Sequence, residues 1–217
     1  AFGGYGANQV NATLVGWALV FISFPLYMDP TASVLHTSLI DPLFKAKYFG
    51  GAAVADFPLS DLLLGRQLGG LGAVQTGALF LGGMYVALRG VIRWEIPFSF
   101  LLGVFLSASV LHLTDPAQNA GPLFHIFSGS TVLAAFFLAT EDSCCPHRRL
   151  PMLLYGLTGG ILVLLIRTFG IYTDGAPFAV MLINLLAPMF ALIRSYPFGT
   201  GPRRKAGRTS RSSEGRD

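Results

Sequence analysis

Apolar residues fall along this chain in six long runs separated by polar connections. The runs cover residues 13–28, 68–88, 96–113, 123–140, 152–171 and 178–193. Each approaches the roughly 20 residues that a helix needs to cross the hydrocarbon of a bilayer. The pattern predicts an all-α integral membrane bundle of about six transmembrane helices. The first and last runs are short and would cross with little tilt. Residues 29–67 form the one long connection, an external loop with Lys45, Lys47 and four aspartates. The chain therefore divides into a transmembrane domain, 1–194, and a tail, 195–217, rich in Arg, Ser and Gly and expected to be disordered.

Charge orients the bundle. Arg89 and Arg93 lie between the second and third runs, His147, Arg148 and Arg149 between the fourth and fifth, and the basic tail after the sixth. Alternating passes put all three on one side, which the positive-inside rule makes cytoplasmic. The 29–67 loop and the turns at Asp115 and Asp174 then lie outside. No run carries a charge near its middle. Arg167 falls near the outer end of the fifth, where its side chain is expected to snorkel. The sequence shows neither a broken-helix site nor an internal repeat, so a stand-alone transporter is the reading with least support.

Composition agrees with lipid rather than water as the solvent. The chain is 53% hydrophobic and 12% charged, about half the charged fraction of a soluble domain. Its mean hydropathy is +0.59. The net charge of +4 comes largely from the tail. No aromatic residue is interleaved with the tail arginines, which argues against nucleic-acid binding. The two cysteines, Cys144 and Cys145, are adjacent, so a disulfide between them is strained. They read as reduced thiols in a loop, and a tetrahedral cysteine metal site has no support.

The fourth run, LFHIFSGSTVLAAFFLATED (residues 123–142), holds more polar atoms than lipid alone would tolerate. Its Ser128-Gly129-Ser130-Thr131 stretch reads first as a close helix contact with hydroxyls bonded to backbone. His125 reads as an interface residue. Asn184, inside the sixth run, must find a partner and so faces the bundle interior. Asp174 stands just before that run, where a helix N-terminus favours an anion.

Four stretches together carry a resemblance: GGYGANQVNATLVGWALVFISFP (3–25), IRWEIPFSFLLG (92–103), FSGSTVLAAFFLATED (127–142) and IRTFGIYTDGAPFAVMLINLLAP (166–188). In order and spacing they resemble the D subunit of the Rnf electron-transport complex, related to the B subunit of the sodium-pumping NADH:quinone reductase. The resemblance implies a bacterial inner-membrane subunit, multi-pass, with a cytoplasmic C-terminus. It implies a complex that passes electrons between ferredoxin or NADH and other carriers while moving sodium or protons, with its other subunits and the lipid bilayer as partners. Members of the family are longer at the N-terminus by about three spans. Such a chain is not catalytic alone.

The resemblance also implies flavin. Family members esterify FMN to a threonine in a Ser-x-Ala-Thr-Pro-Leu motif. The run matched to it here is Val54-Ala55-Asp56-Phe57-Pro58-Leu59, which places Phe57 at the threonine. Phenylalanine has no oxygen to esterify, and Asp56 would repel a flavin phosphate, so covalent FMN is not expected. A noncovalent flavin, riboflavin or FMN, is implied near the cytoplasmic side by a Gly-rich Asn-x-x-Asn segment. Asn8 and Asn11 match it, with Gly4 and Gly6 before them. Glycines let backbone approach a flat ring, and carboxamides meet donors and acceptors alike. Asn11 is equally well placed as a helix N-cap. Glu141, at the exit of the fourth run, would face the same side. The alternative function is a degenerate, flavin-free scaffold or ion-path subunit.

Overall fold

The structure is a computed structural model, and it describes residues 8, 10–28, 41–55, 57–70 and 72–193. Every regular element among the described residues is helical. Helix α1 (Ala12–Ser23) continues into a single turn, α2 (Pro25–Met28). The connection that follows is not a plain loop. It contains α3 (Pro42–Phe49), a 3-10 turn (Gly51–Val54) and α4 (Leu59–Leu64). The second run is helical only as α5 (Thr76–Leu88), because Gly69, Gly70 and Gly72 interrupt its start and Gly72 adopts φ +80°. The third run is α6 (Glu95–Thr114) and the fifth is α9 (Arg149–Phe169). The sixth is α10 (Ala176–Ala191).

The fourth run departs most from expectation. It is a broken helix: α7 (Pro122–Phe127), a kink at Ser128–Ser130 where Ser128 is extended, then α8 (Thr131–Leu133) running into a π-helical turn, Ala134–Leu138. Gly129 at the kink has φ +63°. The apolar run hides this break, since lipid-grade composition persists on both sides of the three small residues.

Among the described residues, two stretches share a similar succession of elements. Two units run in succession, each a six-residue half-helix, a glycine with positive φ, a threonine opening a second helix, a basic turn and a long helix. The first is Pro58-Leu59 through α4, Gly65, Thr76, α5, Arg89–Arg93 and α6; the second is Pro122-Leu123 through α7, Gly129, Thr131, α8, His147–Arg149 and α9. The units meet side by side along α6 and α9, whose backbones touch: a Cβ on Gly160 would lie against Phe100 O and 2.6 Å from Val104 N. At the basic end Arg93 Nη1 donates to His147 O at 3.3 Å, and Arg149 Nε lies 3.6 Å from Glu95 Oε1.

Two helices, Glu95–Thr114 and Arg149–Phe169, are long and apolar enough to cross a membrane; Ala12–Ser23, Thr76–Leu88 and Ala176–Phe190 are shorter apolar helices. The main core buries Phe100, Val104, Tyr155, Val163 and Ile183. The outward face of α6 shows Phe98, Leu102, Phe105, Leu106, Val110 and Leu113, the helical stripe expected of a helix facing lipid. Helix α1 leans on α10 through aromatic contacts of Trp17 and Phe21 with Phe178.

Candidate functional site

Two polar clusters sit at opposite ends of the bundle. At the basic end, Asn11 is buried and its Oδ1 accepts from Thr13 N at 2.9 Å and Leu14 N at 3.2 Å. The capping role is therefore present, and Nδ2 is the group left to meet anything else. Asn8 O accepts a hydrogen bond from Cys144 Sγ at 3.3 Å. That bond brings the Asn8–Asn11 segment against the turn after the fourth run, where Glu141 O accepts from Cys144 N and Cys145 N. Glu141 Oε2 is buried with no hydrogen-bond partner among the described residues. Gly4 and Gly6 lie outside the described residues.

Directly inward, Tyr155 OH donates to Asn184 Oδ1 at 2.5 Å, which supplies the partner that Asn184 needs. Asn184 Nδ2 remains unpartnered among the described residues, although the residue is fully buried. Glu141, Cys144 and Cys145 all lie within electrostatic reach of the Tyr155 hydroxyl. Sequence reading missed Cys144 and Tyr155 as members of this cluster. Nothing in their local pattern marks them, because the contacts join residues far apart in the chain.

Both thiols are free. Burial pushes Cys144 up, and it pushes Cys145 up to about 11, with Asp142 adding to the rise. Since the thiolate is the nucleophile, native-state alkylation by a maleimide at neutral pH should run about 100-fold slower than for a free cysteine. Intact-mass analysis of native against denatured protein checks this. Labelling at the free-cysteine rate would contradict the burial.

At the opposite end, Arg167 is the hub. It does not snorkel: only 4% of its surface is exposed. Nη1 donates to His125 O at 2.8 Å, and Nη2 lies within 3.1 Å of Ser128 O, Thr131 Oγ1 and Asp174 Oδ1. Asp174 Oδ2 accepts from Ser130 N at 2.9 Å, and Oδ1 accepts from Ala176 N at 3.3 Å, so Asp174 meets the first N–H of α10 from just before its N-cap, Gly175. Polar groups freed by the kink are thus met by one cation and one carboxylate.

Helix α3 covers this end. Lys47 Nζ donates to Gly170 O at 2.5 Å and to Tyr172 O at 3.1 Å. Asp41 caps α3 by accepting from Leu43 N at 2.9 Å. Burial raises the Asp41 carboxyl above its ordinary range, and Asp174 adds to the rise; the Leu43 and Phe44 N–H groups and Arg167 oppose it. Phe57 lines a cavity of about 260 Å³ together with Leu62, His112, Asn119 and Phe124. Lys45 Nζ stands 5.2 Å from the Phe57 ring centre. His112 Nδ1 lies 2.8 Å from Asn119 O. The described residues contain no group of three or more His, Cys, Asp or Glu side chains arranged to hold a metal.

Residues 1–199 match the sequence profile of the NQR2, RnfD, RnfE family. The chain belongs to this family. It is similar to the D subunit of the ion-translocating oxidoreductase complex of Alcanivorax borkumensis, with 37% identity over 209 residues, covering 86% of this chain and 61% of the relative. The D subunit of the same kind of complex in Pectobacterium atrosepticum is 32% identical over 226 residues, covering 87% and 64%. Its counterpart in Aeromonas salmonicida is 33% identical over 240 residues, covering 94% and 68%. The chain thus spans about three-fifths of the length of the first two.

The flavin motif that the resemblance implies can be laid on this chain in two registers. Besides Pro58-Leu59 there is a second Pro-Leu pair, Pro42-Leu43, preceded by Ser38-Leu39-Ile40-Asp41. That register keeps the motif's serine and sets Asp41 at the threonine. The side chain there caps a helix N-terminus, a position that favours an anion. Neither register has a hydroxyl-bearing residue at the motif's fourth position.

Proposed function

We propose that this chain is a membrane subunit of an ion-translocating redox complex, set in a bacterial inner membrane with its basic end and C-terminus cytoplasmic. On this reading it holds one flavin noncovalently at the basic end and has no covalent FMN. Electrons pass between ferredoxin or NADH and other carriers through the complex, whose other subunits are its partners.

The observation that carries the flavin reading is Glu141 Oε2, buried without a partner among the described residues beside the Asn8–Cys144 junction. An unpaired buried carboxylate oxygen is costly, on the order of 1–3 kcal/mol or more, unless a ligand meets it. A ring N–H is a donor of the right kind, and the amide N–H groups of Asn8 and Asn11 suit ring carbonyls. A bound isoalloxazine supplies redox chemistry that these side chains lack. The chain's own part is to bind and orient the ring at the membrane edge. Glu141 accepts from it, and the Cys144 bond to Asn8 O keeps the amide segment in place.

The second reading, a flavin-free scaffold, is favoured by the missing hydroxyl in both registers. Acid extraction of the purified full-length subunit in its complex separates the two. Released flavin near one equivalent, falling several-fold in Glu141→Gln, supports the first. A colourless preparation that takes up no added riboflavin supports the second.

A further inference from the structure

The two units handle the same problem differently, and the difference points to a function. Each half-helix ends with carbonyls that its broken continuation cannot satisfy. In the first unit Gln67 Nε2 reaches Leu62 O at 3.4 Å and Val74 O at 3.2 Å, and Thr76 Oγ1 lies 2.9 Å from Leu62 O. In the second, Arg167 Nη1 and Thr131 Oγ1 both donate to His125 O, at 2.8 and 3.0 Å. Leu62 and His125 each lie two residues before the end of their half-helix. A neutral amide is therefore sufficient to close such a break. Burying a guanidinium is far more expensive, several kcal/mol before pairing, yet the second unit does so.

The cradle around that guanidinium explains the choice. Two carbonyl oxygens, one hydroxyl and one carboxylate, His125 O, Ser128 O, Thr131 Oγ1 and Asp174 Oδ1, converge on its two terminal nitrogens. This donor set would suit a free cation, at the kind of helix break where transporters bind ions. Gly129 keeps the cradle open to the side chain: a Cβ there would stand 2.9 Å from Nη2 and 3.1 Å from Asp174 Cγ.

We infer that the break in the second unit is a seat for guanidinium-type monovalent cations, occupied by Arg167 as a tethered plug that closes the break to mobile ions. Ion movement by the complex then takes another route while Arg167 is seated. The inference is independent of whether the chain binds flavin.

Chemical rescue in the full-length subunit within its complex tests it. Arg167→Ala removes the head-group and leaves the four oxygens. Millimolar ethylguanidinium is expected to raise the melting midpoint of Arg167→Ala by about 5 °C and to leave the wild type unmoved. Ethylammonium, which lacks the planar fork, should shift neither midpoint. Passive guanidinium uptake into proteoliposomes should be about tenfold faster for the variant than for the wild type. Equal shifts in variant and wild type, or unchanged uptake, would overturn the proposal. Arg167→Lys provides a test that does not require the alanine variant to fold. It keeps the charge but cannot span the four oxygens, so its midpoint should fall clearly below wild type; a lysine variant that melts with the wild type also overturns the proposal.

Discussion

Asp41→Thr, expressed with a flavin transferase, is expected to give a fluorescent band on a denaturing gel, whereas the wild-type chain gives none. The reason is oxygen chemistry. A phosphoester forms at a hydroxyl, and the unmodified chain has a carboxylate at residue 41 and a phenyl ring at residue 57. Residue 41 is the better of the two positions on structural grounds. It caps α3, whose first N–H groups point toward an anion, and it follows Ser38 at the motif's spacing. Phe57 instead packs into a cavity wall under Lys45. Val54→Ser with Phe57→Thr should therefore stay dark. Fluorescence from that double variant alone would shift the register to residue 57. A fluorescent wild type would defeat the hydroxyl argument itself.

Gly160→Leu is expected to be the most disruptive single change in the bundle, costing about 3 kcal/mol or more. At Gly160 the backbones of α6 and α9 touch, and the atoms that a side chain would meet are Phe100 O, Val104 N at 2.6 Å and Gly103 C at 2.9 Å. Backbone cannot rotate aside as a flexible side chain can, so the helices must separate, and the seam between the two units opens with them. Gly82→Ala is the matched control, because nothing lies within 4 Å of a Cβ at that position. Melting followed by size-exclusion in detergent should show a large loss for the first and almost none for the second. Comparable midpoints would mean that the α6–α9 seam is not the mechanical centre of the fold.

Much of this was legible from residue order. The runs at 96–113 and 152–171 are the helices Glu95–Thr114 and Arg149–Phe169, because long apolar stretches in lipid have little choice but to satisfy their backbone internally. Asn11 as a cap, Asp174 before a helix and Asn184 facing inward follow from the same local rules. Other features were not legible. The break at Ser128–Ser130 has the composition of a close helix contact, and only the Arg167 and Asp174 side chains, 36 to 44 residues downstream of the groups they bind, make it stable as a break. Gln67 gave no sign of its role, since Leu62 O becomes an orphan only once α4 ends.

The order of residues determined what must be buried in lipid and where helices begin, since hydropathy and capping act within a few residues of one another. Which buried polar groups meet was decided by the fold. The pairing of Arg167 with Asp174, of Asn8 with Cys144 and of Tyr155 with Asn184 depends on helices that approach one another across the bundle. In a low-dielectric interior each such group must find whichever partner the packing brings within reach.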